Sequence, residues 1–215
     1  MNRQRKSRLH DEKGNRIALS RLAMNGPRAA VTGIMRLAFG YRPVLPWISY
    51  DAIAALDDFL GRNSRVLEFG SGMSTLWYAW RAGQVCSVED SPEWFSLVQQ
   101  GLQAARLQNV IYRHTATRAE YCRFMSHDEH GFDLVMVDGI SRAACVSHSL
   151  SLLRPKGILY LDNSDKHSTE AGGDTRDAER LVLDAARVRG GTVTYFTDFA
   201  PTQLFVQQGM MLRLP

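Results

Sequence analysis

Residues 66–75, with the sequence VLEFGSGMST, join the end of an apolar run to two glycines and three hydroxyl side chains. The branched and aromatic residues before Gly70 are typical of a buried strand, and an apolar helix pattern continues after Thr75. The segment therefore predicts a strand, a tight turn and a helix. Glycines in such a turn either adopt backbone angles closed to other residues or let a ligand approach the main chain. Two glycines alone do not distinguish these alternatives.

The remaining sequence alternates strand-like and helix-like segments. Strands are expected at 65–69, 84–89, 109–114, 132–138, 157–162, 192–199 and 203–213. Helices are expected at 46–60, 73–82, 92–107, 142–153 and 174–189. This alternation predicts an α/β fold, namely a doubly wound, mostly parallel seven-stranded sheet covered on both faces. Only residues 200–202 separate the last two strands, so the sheet should end in an antiparallel hairpin.

Acidic residues near the glycine turn indicate which nucleotide it holds. Glu89 ends the second predicted strand 19 residues after Gly70, close to the usual offset of a ribose-binding acid. The third glycine of a dinucleotide fingerprint is replaced by Thr75, which disfavours a nicotinamide dehydrogenase. Glu68, two residues before Gly70, is unsuited to a pyrophosphate and suited to a cofactor that carries an ammonium and a sulfonium. The pattern favours S-adenosylmethionine.

Three motifs, VLEFGSGMS, VCSVEDSPEWF and FDLVMVDG…LLRPKGILYLDNSD, resemble those of class I S-adenosylmethionine-dependent methyltransferases. The resemblance covers roughly residues 46–210 and implies a Rossmann-like methyltransferase domain at 46–215. It implies that the glycine turn lines the methionine and sulfonium part of the cofactor, that Glu89 holds the ribose and that Asp90 flanks the adenine. The implied cofactor-binding residues are Glu68, Gly70, Gly72, Ser74, Glu89, Asp90 and Asp138.

Polar residues cluster where the fourth and fifth predicted strands end. The sequences VDG and LDN there resemble cation-dependent O-methyltransferases of the catechol and caffeoyl-coenzyme A type, which implies a Mg²⁺ site at Asp138, Asp162 and Asn163. Alternatively, Asp138 is a base or a cofactor contact and the LDN sequence is a polar strand end. Arg142 is a candidate anion binder or a solvated arginine, and His167 is a candidate general base or an exposed loop histidine.

The first 45 residues form a basic arm. Residues 1–42 carry ten lysines and arginines against Asp11 and Glu12, a net charge of +8, whereas the whole chain is +4 and the remainder therefore −4. Two short amphipathic helices are expected in the arm, separated by Asn25-Gly26-Pro27. Such an arm would contact a nucleic acid, an anionic membrane surface or an acidic substrate, or remain a solvated tail. Nucleic acid is an improbable partner because no aromatic residue precedes Phe39.

The sequence as a whole predicts an S-adenosylmethionine-dependent methyltransferase that methylates an oxygen of a small hydroxylated or saccharide-like acceptor. The alternative is a non-catalytic adenosyl-binding module docked to RNA or another partner through the arm. A charged start, three separated cysteines and no apolar run of membrane-spanning length favour a cytoplasmic location. The acceptor's identity and the oligomeric state stay open.

Overall fold

The computed structural model describes residues 5–166 and 174–215. Its helices are α1 (Leu19–Phe39), α2 (Tyr50–Phe59), α3 (Met73–Ala79), α4 (Pro92–Ala104), α5 (Arg118–Cys122), α6 (Arg142–Ser149) and α7 (Thr175–Arg189), with a short 3-10 turn after α6. Its strands are β1 (Arg65–Phe69), β2 (Gln84–Glu89), β3 (Val110–His114), β4 (Phe132–Val137), β5 (Leu153–Leu161), β6 (Thr192–Phe199) and β7 (Val206–Arg213). All seven predicted strands are present, and α5 is a helix that the sequence pattern did not predict.

The seven strands form one sheet in the order β3-β2-β1-β4-β5-β7-β6. Strands β1 to β5 run parallel, and β7 pairs antiparallel with both β5 and β6. This arrangement confirms the predicted doubly wound sheet and its terminal hairpin. Strand order reverses between β1 and β4, so the turns after these strands flank the crevice in which open α/β sheets bind ligands.

The core consists of two main apolar clusters, one on each face of the sheet. Alternate residues of β1 contribute to opposite faces, because Leu67 and Phe69 belong to one cluster and Val66 to the other. Glu68 lies on the same face as Val66 and is fully buried. A charged residue at a central strand position needs a specific reason, because carboxylates are almost never buried without partners.

Helix starts follow the expected capping chemistry. The Ser91 hydroxyl accepts a hydrogen bond from the backbone N–H of Trp94 at 3.3 Å, and Pro92 occupies the first turn of α4. Ser49 caps α2 in the same way through Ala52 N–H at 3.2 Å. This cap explains why α2 begins at Tyr50 and not at the predicted residue 46.

The prediction of two short helices in the arm was wrong. α1 runs unbroken for 21 residues through Pro27, although a proline removes the donor for the carbonyl four residues earlier. The helix continues because Asn25, Ala29 and Gly33 lie on one buried face, where the Asn25 amide donates to Asp198 Oδ2 at 2.6 Å. A Cβ at Gly33 would lie 2.7 Å from the side chain of Leu204. Tertiary packing therefore outweighs the local helix-breaking preference.

Residues before α1 pack against the sheet. Arg8 accepts a hydrogen bond through its carbonyl from the N–H of Val206 at 2.9 Å, and Glu12 N–H donates to Asp165 Oδ2 at 3.0 Å. Asp11 and Ile17 are buried in this contact. The described part of the basic segment therefore lies along the β6–β7 side of the domain. No helix of the described residues is long and apolar enough to cross a membrane.

Candidate active site

Backbone hydrogen bonds extend the parallel ladder one residue beyond the strands and set the site residues in a row. Gly70 N–H donates to the Val88 carbonyl at 3.0 Å, and Asp138 N–H donates to the Phe69 carbonyl at 2.9 Å. Asp162 N–H donates to the Val137 carbonyl at 3.1 Å. The first residues after β1, β4 and β5 are thereby fixed at the same edge of the sheet.

Gly70 is required by the packing of the turn itself. Its φ is +91°, and a Cβ would lie 2.7 Å from the backbone nitrogen of Gly139 in the turn after β4. Gly139 is equally restricted, because a Cβ there would lie 1.8 Å from the Tyr121 hydroxyl oxygen. The turns after β1 and β4 thus pack backbone to backbone, and no side chain fits between them.

Gly72 is free of both restrictions. Its backbone is extended, and a Cβ would meet only Ser74 at ordinary contact distances of 3.6 Å or more. Its open side faces a cavity of about 80 Å³ at the strand ends. The cavity is lined by Leu45, Trp47, Ser71, Gly72, Met73, Ser74, Trp94 and Asp138. Gly72, Ser74 and Asp138 of the predicted cofactor set therefore share one cavity.

Glu68 lies beneath the turn and not on the cavity surface, contrary to the expectation that it lines the cofactor. Its carboxylate accepts hydrogen bonds from the hydroxyls of Ser74, Thr75 and Ser87, each at 2.6 Å. Thr75 also accepts from the N–H of Gly72 at 3.2 Å. Burial raises the pKa of Glu68 to about 7, against which the three hydroxyl donors act in part. Glu68 therefore fixes the shape of the turn from below.

Glu89 connects the glycine turn to the start of α4. One carboxylate oxygen accepts from Ser71 N–H at 2.8 Å and from the Ser71 hydroxyl at 2.7 Å. The other accepts from Asp90 N–H at 3.1 Å and Ser91 N–H at 2.9 Å. Four donors occupy the roughly four acceptor positions of a carboxylate. A ribose hydroxyl would reach Glu89 by replacing the Ser71 hydroxyl, which also lies 2.7 Å from the hydroxyl of Tyr112.

Asp90 lies in the turn between β2 and α4. Its carbonyl is 3.3 Å from His114 Nε2, and the His114 ring is tilted against Phe95 with centroids 5.6 Å apart. Phe95 in turn stacks on Tyr112 at 4.6 Å. The predicted adenine contact is therefore next to a group of aromatic rings on β3 and α4.

Arg142 is buried and does not extend to the cleft mouth as an anion binder, so both predictions made for it were wrong. Its guanidinium donates to the carbonyls of Asp162 at 2.6 Å, Gly139 at 2.9 Å and Asp138 at 3.2 Å. It also approaches Asp138 Oδ1 at 3.5 Å and Asn163 Oδ1 at 3.4 Å. A single guanidinium thus joins the ends of β4 and β5.

Asp138 and Asp162 converge as predicted but in different environments. The Asp138 side chain is 36% exposed in the cleft, whereas Asp162 is buried and its Oδ1 has no hydrogen-bond partner among the described residues. Burial, followed by the charge of Asp138, raises the pKa of Asp162 well above its usual range. The partial burial of Asp138 also raises its pKa, and the nearby Arg142 opposes that shift. The pair is thus disposed to hold a proton.

The predicted Mg²⁺ set does not suit a divalent ion in this arrangement. The Arg142 guanidinium lies against Asp138 and Asn163, so a positive charge already occupies the space between the proposed ligand oxygens. His167, the candidate base, lies outside the described residues.

A second cavity, of about 270 Å³, adjoins the first and shares Trp47 and Asp138 with it. It is lined by Arg5, Glu12, Trp47, Asp138, Asp162, Asn163, Asp165, Lys166, Gln203, Phe205 and Gln207. A wider cleft of about 750 Å³ lies around residues 113–130 and contains none of the predicted site residues. The two adjoining cavities are therefore the candidate cofactor and acceptor sites.

No family model matches the chain, and no curated protein matches it significantly. Solved structures do match. An O-methyltransferase from Bacillus cereus in complex with SAH is 18% identical with a TM-score of 0.61, covering 89% of this chain and all of that one. The O-methyltransferase TomG from Streptomyces achromogenes, in complex with SAM, is 16% identical with a TM-score of 0.62, covering 91% and 95%.

The cofactor-bound protein Rv0187 from MTB is also similar, with 18% identity, a TM-score of 0.62 and coverage of 87% and 97%. The fold is that of class I S-adenosylmethionine-dependent methyltransferases. At these identities the likeness establishes the methyltransferase fold.

The sequence patterns missed several residues of this site in the methyltransferase fold. Leu45 and Trp47 line the first cavity although they precede the motifs, and Trp94 lines it from within VCSVEDSPEWF, where no role was predicted for it. Tyr121 belongs to the unpredicted α5 and packs against Gly139. Ser71 could have been predicted from the sequence, because it lies between the two turn glycines and β1 and β2 are neighbouring parallel strands. A hydroxyl at that position lies close to an acid at the end of β2.

Proposed function

We propose that the protein is an S-adenosylmethionine-dependent methyltransferase that methylates an oxygen of a small hydroxylated or saccharide-like acceptor. The observation that carries the proposal is the meeting of two cavities at Asp138 and Trp47, one built on the glycine turn and one beyond it. Similar folds bind SAM or SAH and are described as O-methyltransferases, which supports the same donor and acceptor atom.

Bound S-adenosylmethionine supplies a methyl group already activated by a sulfonium, so the protein must align the acceptor, exclude water and remove a proton. The Glu68-supported turn fixes the donor cavity, and Trp47 lines the donor cavity and the acceptor cavity alike. Asp138 lines both cavities and accepts the proton of the acceptor hydroxyl as its oxygen takes the methyl group. Its raised pKa makes it a stronger base than an ordinary aspartate.

The alternative, a non-catalytic adenosyl-binding module, is less well supported by the site. A module that only bound the nucleoside would need the first cavity alone. Here a larger cavity with carboxylate, amide and aromatic side chains continues from it. The further cavity is where an acceptor would lie.

The test is cofactor binding by calorimetry combined with a methylation screen on hydroxylated and saccharide acceptors. We expect S-adenosylmethionine and S-adenosylhomocysteine to bind and NAD not to bind. Asp138→Asn should lower turnover by about 10²- to 10⁴-fold, the usual contribution of a positioned base, while cofactor affinity changes little. The exposed substitution Asp184→Asn is the control.

A chelator should leave turnover unchanged, because Arg142 supplies the positive charge beside Asp138. Loss of activity in chelator and its return with Mg²⁺ would instead show that a metal replaces that guanidinium contact. Binding of NAD without any adenosyl-sulfur ligand would refute the proposed function altogether.

A further inference from the structure

Three arginines surround a groove next to the acceptor cavity. The groove has a volume of about 490 Å³ and is lined by Arg5, Arg8, Arg36, Leu37, Thr202, Gln203, Leu204 and Phe205. Among the described residues, no carboxylate lines it. It shares Arg5, Gln203 and Phe205 with the acceptor cavity, so the groove and the cavity are contiguous.

The positive charge in this groove is only partly compensated. The Arg8 side chain is exposed, and its guanidinium forms no hydrogen bond or ion pair with the described residues. Arg36 donates to the Thr202 hydroxyl at 3.1 Å and lies 4.5 Å above the ring of Trp47, and no carboxylate of residues 5–166 or 174–215 forms an ion pair with it. Only Arg5 approaches carboxylates, at 3.9 Å from Glu12 and 3.8 Å from Asp165.

The packing of two of these arginines holds them in place for a ligand. Arg5 lies 4.2 Å above the ring of Phe205, and its Nε is buried without a hydrogen-bond partner. Arg36 stacks on Trp47, which also lines the donor and acceptor cavities. Guanidinium groups that are held by aromatic rings lose little conformational entropy when they bind a carboxylate or a phosphate through two parallel hydrogen bonds.

The groove is more positively charged than the acceptor cavity. Among the described residues, the groove is lined by three arginines and no carboxylate, whereas the charged side chains of the cavity are of both signs, namely Arg5, Lys166, Glu12, Asp138, Asp162 and Asp165. An anionic group is therefore held more favourably in the groove than beside Asp138. An acceptor spanning both would place its hydroxyl beside Asp138 and its anion among the arginines.

We propose that this groove is an anion subsite that binds a phosphate or carboxylate group carried by the acceptor. The inference rests on the proposed function and narrows the acceptor to an anionic molecule with a hydroxyl some way from its charge. The apolar side chains of Leu37, Leu204 and Phe205 contact the part of the acceptor next to the anion.

The test uses phenyl phosphate as the probe and phenol as its neutral counterpart, titrated into the full chain saturated with S-adenosylhomocysteine. We expect phenyl phosphate to bind and phenol to bind at least tenfold more weakly. Arg8→Glu should weaken phenyl phosphate binding at least tenfold, the scale of a lost charge-assisted hydrogen bond. Arg187→Glu on α7 changes the net charge equally and should have no such effect.

Arg36→Gln is a second variant and should also weaken phenyl phosphate binding. Its result is interpretable only if the variant binds S-adenosylhomocysteine with wild-type affinity. In the methylation screen, Arg8→Glu should raise KM for anionic acceptors and leave kcat unchanged. Equal binding by Arg8→Glu and Arg187→Glu, or equal binding of phenol and phenyl phosphate, would overturn the subsite.

A lipid headgroup is another source of the same chemistry. Vesicles of phosphatidylcholine and phosphatidic acid in equal parts distinguish it, because an acceptor subsite binds soluble phenyl phosphate without a membrane. Binding of the vesicles but not of phenyl phosphate would overturn the assignment to the acceptor. Absence of S-adenosylhomocysteine binding would refute the proposed function, whereas its presence without anion binding would refute only the subsite.

Discussion

At the scale of single residues, the two turn glycines have different reasons for being glycine. Gly70 adopts a positive φ against the backbone of Gly139, so its requirement comes from the fold. Gly72 has an extended backbone and room for a Cβ, so only a ligand in the cavity that it lines would require glycine there. The sequence pattern left both explanations open, and the structure assigns one to each residue.

The two alanine variants therefore separate folding from binding. Gly70→Ala should be strongly destabilised, by more than about 3 kcal/mol, because it combines a disfavoured φ with a backbone clash. Gly72→Ala should unfold within about 1 kcal/mol of the wild type yet bind S-adenosylmethionine at least tenfold more weakly, since the methyl group fills cavity space. Denaturant unfolding and calorimetry measure the two quantities. Wild-type affinity in Gly72→Ala would move the cofactor away from this turn.

Glu68 should make the stability of the protein depend on pH. Its pKa rises from an ordinary 4.5 to about 7 on folding, so the folded state binds the proton more tightly. The stabilising contribution is complete below pH 4.5 and is lost as pH rises through 7. Glu68→Gln stays neutral and lacks this loss.

The free energy of unfolding of Glu68→Gln, relative to wild type, should therefore increase by about 3 kcal/mol between pH 4.5 and pH 7. Urea unfolding across this pH range measures it, with the exposed substitution Glu129→Gln as control. A constant difference between Glu68→Gln and wild type would show that the buried carboxyl does not titrate there.

At the scale of elements, the sequence predicted strands better than it predicted how their ends are used. Strands β1 to β4 are marked by short apolar runs and turn residues, and their bounds agree with prediction to within one residue. α1 was predicted wrongly because Asn25-Gly26-Pro27 is a helix-breaking sequence when only neighbouring residues are considered. In the structure, Asn25 donates a hydrogen bond to Asp198, which is distant in the chain. Long-range contacts of this kind leave no periodic signal.

The ends of β4 and β5 illustrate the same limit for the site. The positions of Asp138 and Asp162 followed from parallel strands meeting at one edge of the sheet. The surroundings of these two aspartates could not be predicted from the sequence. The buried Arg142, four residues after Asp138, joins the ends of both strands. An arginine at the start of a helix looks solvent-exposed in sequence, and only the fold shows that three carbonyls surround it.

At the scale of the whole molecule, apolar surface and positive charge lie at the same end of the chain. Met24, Val31, Ile34, Leu37 and Phe39 on α1 are between 59% and 78% exposed. The basic groove lies beside Leu37, and residues 1–42 carry a net charge of +8 against −4 for the rest. An amphipathic helix with arginines at its flank has the character of an interfacial membrane element.

We expect α1 to bind anionic bilayers through this apolar face. A second copy of the chain is a weaker occupant, because pairing two faces would bring two segments of +8 together. The full chain should sediment with vesicles of phosphatidylcholine and phosphatidylglycerol, less so at high salt, and hardly with phosphatidylcholine alone. Deleting residues 1–16 is a poor test because it removes the buried Asp11. Point substitutions on α1 avoid this.

Val31→Ser with Ile34→Ser should reduce vesicle binding at least tenfold, because two exposed apolar side chains contribute a few kcal/mol when buried in the bilayer interface. Neither side chain lines the basic groove of Arg5, Arg8 and Arg36, so the binding of S-adenosylhomocysteine and of phenyl phosphate should be unchanged. Val188→Ser on α7, also an exposed valine, is the control. Two results together would contradict membrane binding: the wild type does not bind vesicles, and it sediments as a dimer that the double substitution dissociates. The apolar face of α1 would then be an interface between two copies of the chain.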